Sequence, residues 1–494
     1  MVTIGGTVQG LQAGSAGLTL QNGTGTPLAI AANGAFQFPG TVPNGTVYFV
    51  RVATQPNTPA QFCSAPNGAG IATSNTAITV VCNSGTPRYL YVSDFSLNTL
   101  YGFAVDGAAG TLIPVAGGVP ASTGQWPLEP GVAPAGAFFT SGPGGFVYVR
   151  NVNDGTVSAF SINAATGALT AVPGSPFSIT GQGNTVVQTV ISPTGRFVYF
   201  LDQSVGGTGQ RRIFAYLIQA NGALAAIAGS PFNAVAGTHR LEIDPLGRYL
   251  YGATTSLAGG AMTTYRVDPD TGALSSVGTP ANGTLGLARG VVHPGGQFLY
   301  VARDTTNLPA PPPPAVDAYT IDTATGQLTL LGSVAAASSN QSTVPIMDRQ
   351  GRFLYVTGAG GIVGFRIDAG TGALTPVGGP PALVNFNVGQ SDIDPTGRFL
   401  YSPIRQGPSE GVAMHTIDQA TGQLTLSPGN FSLGANVSPT FVRADASGRY
   451  LFVATFTDDR ITSLAIDAVS GLLSFRSSQP AGTNATQLTI AGTQ

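Results

Sequence analysis

The sequence predicts an all-β protein: an eight-bladed β-propeller with four-stranded blades, closed by a C-terminal strand and preceded by a small β-sandwich. Three observations predict it. A strand–turn–strand stretch, DPTGRFLY at 394–401, recurs along most of the chain. A second, IDQATGQL at 417–424, recurs in step with it. No helical pattern lies between the copies, and a four-stranded unit repeated without helices is a propeller blade.

The first stretch returns as SPTGRFVY at Ser192, DPLGRYLY at Asp244, HPGGQFLY at His293, DRQGRFLY at Asp348 and DASGRYLF at Asp445. Degenerate copies are GGFVYV at Gly144 and PRYLYV at Pro87. The second stretch carries turn glycines at Gly110, Gly167, Gly222, Gly272, Gly326, Gly372, Gly422 and Gly471, which makes eight repeats 46 to 57 residues apart. Within a unit the strands are A, B, C and D; in the seventh they span 388–393, 398–402, 411–417 and 424–426. Asp caps each turn, Pro fixes φ and Gly takes the left-handed position. Strands B and C carry apolar residues with period two. The first unit starts at strand B, and residues 485–491 after the last unit read as the missing strand A. Pairing the two completes eight blades and hides the sheet edges. Seven blades plus one irregular unit is the alternative, because the second unit has SGPGG in place of DPxGR.

Residues 1–84 lack the repeat and read as a small sandwich, with strands at 2–8, 18–21, 28–31, 35–38, 47–53 and 78–82 and Asn-Gly turns between them. Residues 86–494 form the propeller. Cys63 and Cys82, the two cysteines, read as a disulfide, with two buried thiols as the alternative. Charged residues are 9% of the chain, and all 20 basic residues are Arg. Lys chemistry is therefore excluded. With net charge −2 and no basic run, there is no footprint for nucleic acid. No apolar run is long enough to span a membrane as a helix. No leader precedes the strand-like VTIGGTV, so the extracellular or cell-surface location suggested by the composition implies a leader already removed.

In such a ring strand A is innermost. A–B and C–D turns share one face; the longer B–C and D–A loops share the other, where a site is expected. Those loops include 202–212, 254–261, 302–315 with the proline run 311–314, 404–410, and 113–137 with the only Trp, Trp126, a candidate glycan contact. Aligned by their turns, the A strands put Gln188, Arg240, Arg289 and Gln390 in one ring. Glu242, Asp392 and Arg443 follow two residues later. The functional reading is a polar pocket for an anionic or sugar-like ligand; the structural reading is ion pairs between blades, Glu242 with Arg289 and Asp392 with Arg443. His239 is the candidate acid–base group, with Glu242 beside it. His293 reads as a turn residue and His415 as one on a blade face. The repeated Asp268, Asp322, Asp368, Asp418 and Asp467 read as turn caps. No HExxH, GxSxG or strand–GxGxxG–helix pattern is present, so neither a metal nor a cofactor is expected.

The units IDPxGRFLYV…VxxYxIDxxTGxLT resemble the lactonase-type β-propeller family, which includes bacterial 6-phosphogluconolactonases, over residues 86–494. The resemblance implies hydrolysis of a lactone and an Arg-His pair on an inner strand, followed by an acid after the next strand B. The matching stretch, 237–248, carries His239-Arg240 in inverted order, and Ala253-Thr254-Thr255 brings no acid. Arg289 is followed by Arg303-Asp304 but lacks the His. The N-terminal segment, GGTVQGLQAGSAGLTLQNG with ANGAFQFP and the two cysteines, resembles immunoglobulin-like modules of bacterial surface proteins. The leading expectation is an exported binding or assembly module that forms oligomers or filaments; a lactonase-type hydrolase and a glycan-binding propeller are the alternatives.

Overall fold

In the computed structural model the described residues form strands, turns and loops, with no α-helix among them. It describes the chain apart from residues 15, 23–24, 55, 57–61, 66–67, 73, 84–86, 116–119, 126, 134–144, 164, 180–184, 204–210, 255–260, 283–286, 304–314, 337–343, 359–360, 379–389, 406–409, 428–429, 446, 484 and 494. Trp126, Asp304, the proline run and most of the long loops named above lie outside the described residues.

Residues 1–83 make two four-stranded sheets. One runs Gly34–Gln37, Gly5–Gln9, Ile78–Asn83, Phe62–Ser64; the other runs Leu28–Ala29, Thr19–Asn22, Thr46–Thr54, Ala69–Ala72. Leu18, Leu20 and Val50 of the second pack with Val8, Phe36, Ile78 and Val80 of the first in one core. Cys63 and Cys82 face each other across neighbouring strands and are joined by a disulfide. The two strands 62–64 and 69–72 went unread in the sequence, being short and interrupted by Ala-Pro-Asn-Gly.

Eight sheets follow. Each is an antiparallel meander whose strands pair in chain order, except that the first is completed from the far end of the sequence. There Ala485–Thr493 pairs with Pro87–Asp94, Leu488 opposite Val92 and Ile490 opposite Leu90. The expected closing strand is thus present, and it pairs with the strand expected. We number these sheets 1 to 8. Second strands such as Phe298–Arg303 and Phe399–Ile404 are buried along their length because both faces meet a neighbouring sheet. Eight apolar clusters result, each drawn mainly from two successive sheets. One of them joins the last sheet to the first through Leu90, Val92 and Phe103 against Phe441, Tyr450 and Phe452.

The repeat motif is what ties sheet to sheet. In six of the eight sheets the tyrosine of the second strand donates its hydroxyl to the turn glycine carbonyl of the next sheet. Tyr91 reaches Gly167, Tyr148 reaches Gly222, Tyr199 reaches Gly272, Tyr300 reaches Gly372, Tyr355 reaches Gly422 and Tyr401 reaches Gly471, at 2.7 to 3.0 Å. Burial pushes these hydroxyls' pKa values up and keeps them protonated donors. Between sheets 4 and 5 Thr264 substitutes, donating to Gly326, and between 8 and 1 Ser463 donates to Gly110. The preceding aromatic covers the same glycine: a Cβ on Gly422, at φ +79°, would sit 2.4 Å from the Phe353 ring. Glycine is needed there for close approach as well as for the turn.

Some boundaries moved. The seventh inner strand, expected at 388–393, is Asp392–Ile393 with a bridge at Gln390, and residues 379–389 fall outside the described ones. The last outer strand runs Leu473–Pro480.

Candidate active site at the inner strands

The inner strands of sheets 2 to 5 are Pro127–Ala133, Thr185–Ile191, Thr238–Ile243 and Leu287–Val292; Pro439–Ala444 is that of sheet 8. Each of these, and the closing strand Ala485–Thr493, slips register near its start. In sheet 4 Thr238 faces Thr254 and Arg240 faces Ala253, so His239 is the extra residue of a bulge. A bulge bends the strand and re-aims side chains. The aligned residues Gln188, Arg240 and Arg289 each follow directly on such a slip. Nothing in the residue types at these positions announces a bulge, which is why the sequence reading missed it.

The aligned side chains differ in what they do. Gln188 spends both amide atoms on the next inner strand, donating to the Leu241 carbonyl at 2.8 Å and accepting from its N–H at 2.7 Å. Arg240 reaches back to the Val187 carbonyl at 3.4 Å. Glu242 accepts the Gly290 N–H at 3.3 Å and Asp392 the Ala444 N–H at 2.9 Å. Arg443 lies 3.9 Å from Asp392. Gln390 pairs through its backbone with Thr440 and Val442 of sheet 8. Gln188, Glu242 and Asp392, read as ligand or catalytic groups, therefore hold neighbouring inner strands together. Arg289 and His239 are half-buried.

Other arginines, unpicked in the sequence, stand at the loop-face ends of the second and third strands. Arg211 lies beside Arg240: burial lowers its pKa, the Arg240 charge lowers it further, and Asp202 opposes both. Asp202 itself is fully buried and taken by Arg212, through Nε at 3.0 Å and Nη2 at 2.9 Å. Arg150 donates to the Val186 carbonyl at 2.8 Å, and Arg405 to the Pro439 carbonyl at 3.0 Å. The signal that could have found them is the arginine or Arg-Arg pair at a strand end in YVRN, QRRI and YSPIR. Arg211 and Arg240 thus set two guanidinium groups side by side at this end of sheets 3 and 4, next along the strand from His239, while Arg405 stands between sheets 7 and 8. A half-buried imidazole beside a guanidinium can take a proton from water while the cation holds a developing oxyanion.

The remaining histidines and acids are structural. His293 replaces the turn Asp: its Nδ1 accepts the Gly295 N–H, so Nε2 donates to the Gly351 carbonyl of the next sheet, both at 3.0 Å. His415 is fully buried, and neither ring nitrogen has a partner. Asp268, Asp322, Asp368, Asp418 and Asp467 each accept two backbone N–H groups of their own turn, and Asp368 and Asp418 first of all the hydroxyls of Thr371 and Thr421, which holds their pKa values below the usual carboxylate range.

The family described as "Lactonase, 7-bladed beta-propeller" matches residues 84–288 and 362–490, more than half of the chain. The chain belongs to this family. The unmatched residues 289–361 hold five consecutive strands, from Phe298–Arg303 to Phe353–Gly358. Among solved structures, a putative 6-phosphogluconolactonase from Bacteroides uniformis is 14% identical, with 82% of this chain and 99% of that one covered and a TM-score of 0.51. The periplasmic gluconolactonase of Pseudomonas aeruginosa is 19% identical, covering 70% and 98%, at 0.50. Apo AztD from Citrobacter koseri is 15% identical, covering 83% and 99%, at 0.54. At such identities the likeness is one of fold. No curated protein matches by sequence.

Proposed function

We propose that the chain hydrolyses a lactone, at the loop-face end of the inner strands of sheets 3 to 5. The observation that carries this is the family match, which runs through the strand holding His239 and Arg240. In this reading His239 takes a proton from water as its oxygen attacks the lactone carbonyl carbon. Arg240 and Arg289 hold the charge that forms on the carbonyl oxygen. The ring C–O bond then breaks, the leaving oxygen takes the proton back as a hydroxyl, and the product is the open hydroxy acid. Glu242 positions Gly290, next to Arg289, rather than acting on substrate.

The test is ring opening followed by pH-stat on sugar lactones and homoserine lactones. The wild type should turn over at least one class. His239→Ala should lower kcat by about 100-fold or more, with the far-UV spectrum unchanged. A wild type inactive on all of them overturns the reading. Binding or assembly without catalysis is the second reading, favoured by the use of Gln188, Glu242 and Asp392 as inter-strand ties; glycan binding at the same face and filaments seen by electron microscopy are its forms.

We also read the eight sheets as eight blades of one ring, one more than the family description. Eight interface clusters and eight sheet-to-sheet hydroxyl bonds support this. The N-terminal sheets are read as an immunoglobulin-like sandwich, which their shared core supports. The disulfide likewise favours an oxidising, extracellular setting.

A further inference from the structure

The covalent link and one hydrogen bond together locate the N-terminal domain against the ring. Pro87, the first residue of the second strand of sheet 1, is paired with Thr493, at the end of the inner strand. The N-terminal domain therefore leaves the ring on its turn face. Gln350 lies in the turn between the first two strands of sheet 6, on the same face, and its Nε2 donates to the Ala53 carbonyl at 2.9 Å. Only residues 84–86 separate Asn83 from Pro87, a span of at most about 14 Å. Sheets 1 and 6 stand three places apart in a closed ring of eight. A body held at one and touching the other, on so short a tether, lies across the turn face close to the axis.

The inner-strand ends on that face are charged, and Arg349 and Arg443 there keep exposed side chains. Arg349, next to Gln350, sits among the carboxylates of Asp392, Asp394 and Asp445 with Arg443 beside it. These are the turn-face ends of the inner strands. The covering domain has a single charged side chain in residues 1–84, Arg51.

We propose that the N-terminal domain caps the turn-face end of the ring axis, so that a ligand reaches the inner-strand residues from the loop face alone. This rests on the ring of eight proposed above and not on lactone hydrolysis. The full chain carrying Ala53→Cys and Gln350→Cys should be bridged by a short bismaleimide within one molecule, with Cys63–Cys82 intact. The pair Ala53→Cys with Val235→Cys, on the loop face, should not be bridged. In single variants, a polymer-bearing maleimide should label Arg443→Cys at least tenfold more slowly than Val235→Cys, while a small maleimide labels both at similar rates. Absence of bridging together with equal polymer labelling overturns the cap. Neither readout uses substrate, and particle images counting the blades test the ring separately.

Discussion

His415 should make sheet 7 acid-sensitive, and the size of the effect can be worked from its surroundings. It lies on the same strand face as Ala413 and Ile417, in the core between sheets 6 and 7, with Leu400 and Leu426 opposite it on the flanking strands. In the other units this position is Phe103, Phe160, Tyr216, Tyr265, Tyr319, Phe365 or Leu464, so the imidazole stands in for an apolar side chain. Burial lowers its pKa from 6.5 to about 4. A base depressed in this way binds fewer protons folded than unfolded between those two values. Its stabilising effect is complete above the unfolded pKa and declines as pH falls toward the folded one. Between pH 7.5 and 4.5 the loss is about 2 to 3 kcal/mol, most of the loss expected at full protonation. Burial raises the pKa of Asp244 and Asp445, which works in the opposite direction. A comparison with His415→Phe cancels both. Urea midpoints of the two chains at pH 7.5, 6, 5 and 4.5 are the assay. The wild type should lose about 2 to 3 kcal/mol more than the variant over this range. Parallel curves, within about 0.5 kcal/mol, would refute the assignment of the acid response to this ring.

Two further outcomes follow from the inter-sheet bonds and the disulfide. Tyr355→Phe leaves the Gly422 carbonyl without its donor and should cost about 1 to 3 kcal/mol in denaturant unfolding; Tyr251→Phe, whose hydroxyl has no partner, should be neutral or stabilising. Cys63→Ala with Cys82→Ala should lower the melting transition of the N-terminal domain by the equivalent of about 3 kcal/mol, leaving the ring's transition in place in calorimetry.

The fold was legible because one pattern had to satisfy the same interface many times. Each RFLY and ATG copy carries an aromatic, a tyrosine hydroxyl and a glycine that fit a neighbouring copy, so the repeat shows in the letters. The site was far less legible. The sequence grouped Gln188, Arg240 and Arg289 correctly by register, but it could not tell a side chain turned to a ligand from one tied to the next strand. Gln188 and Asp392 bond backbone groups more than 50 residues away, and no local pattern encodes that. Arg211 and Arg405 were passed over because strand ends looked like loop, and the bulge at His239 depends on how two strands pair.

The closing strand has a consequence for how the protein is made. Pro87–Asp94 is synthesised long before its neighbour Ala485–Thr493, with all the other sheets translated in between. Until then one edge of the first sheet, with Leu90 and Val92 in it, has no strand to bond to. During translation that edge is open to any extended segment nearby, from the same nascent chain or from one on an adjacent ribosome. Truncated products that stop before residue 485 keep that edge permanently, which makes them the form of this protein most prone to aggregate.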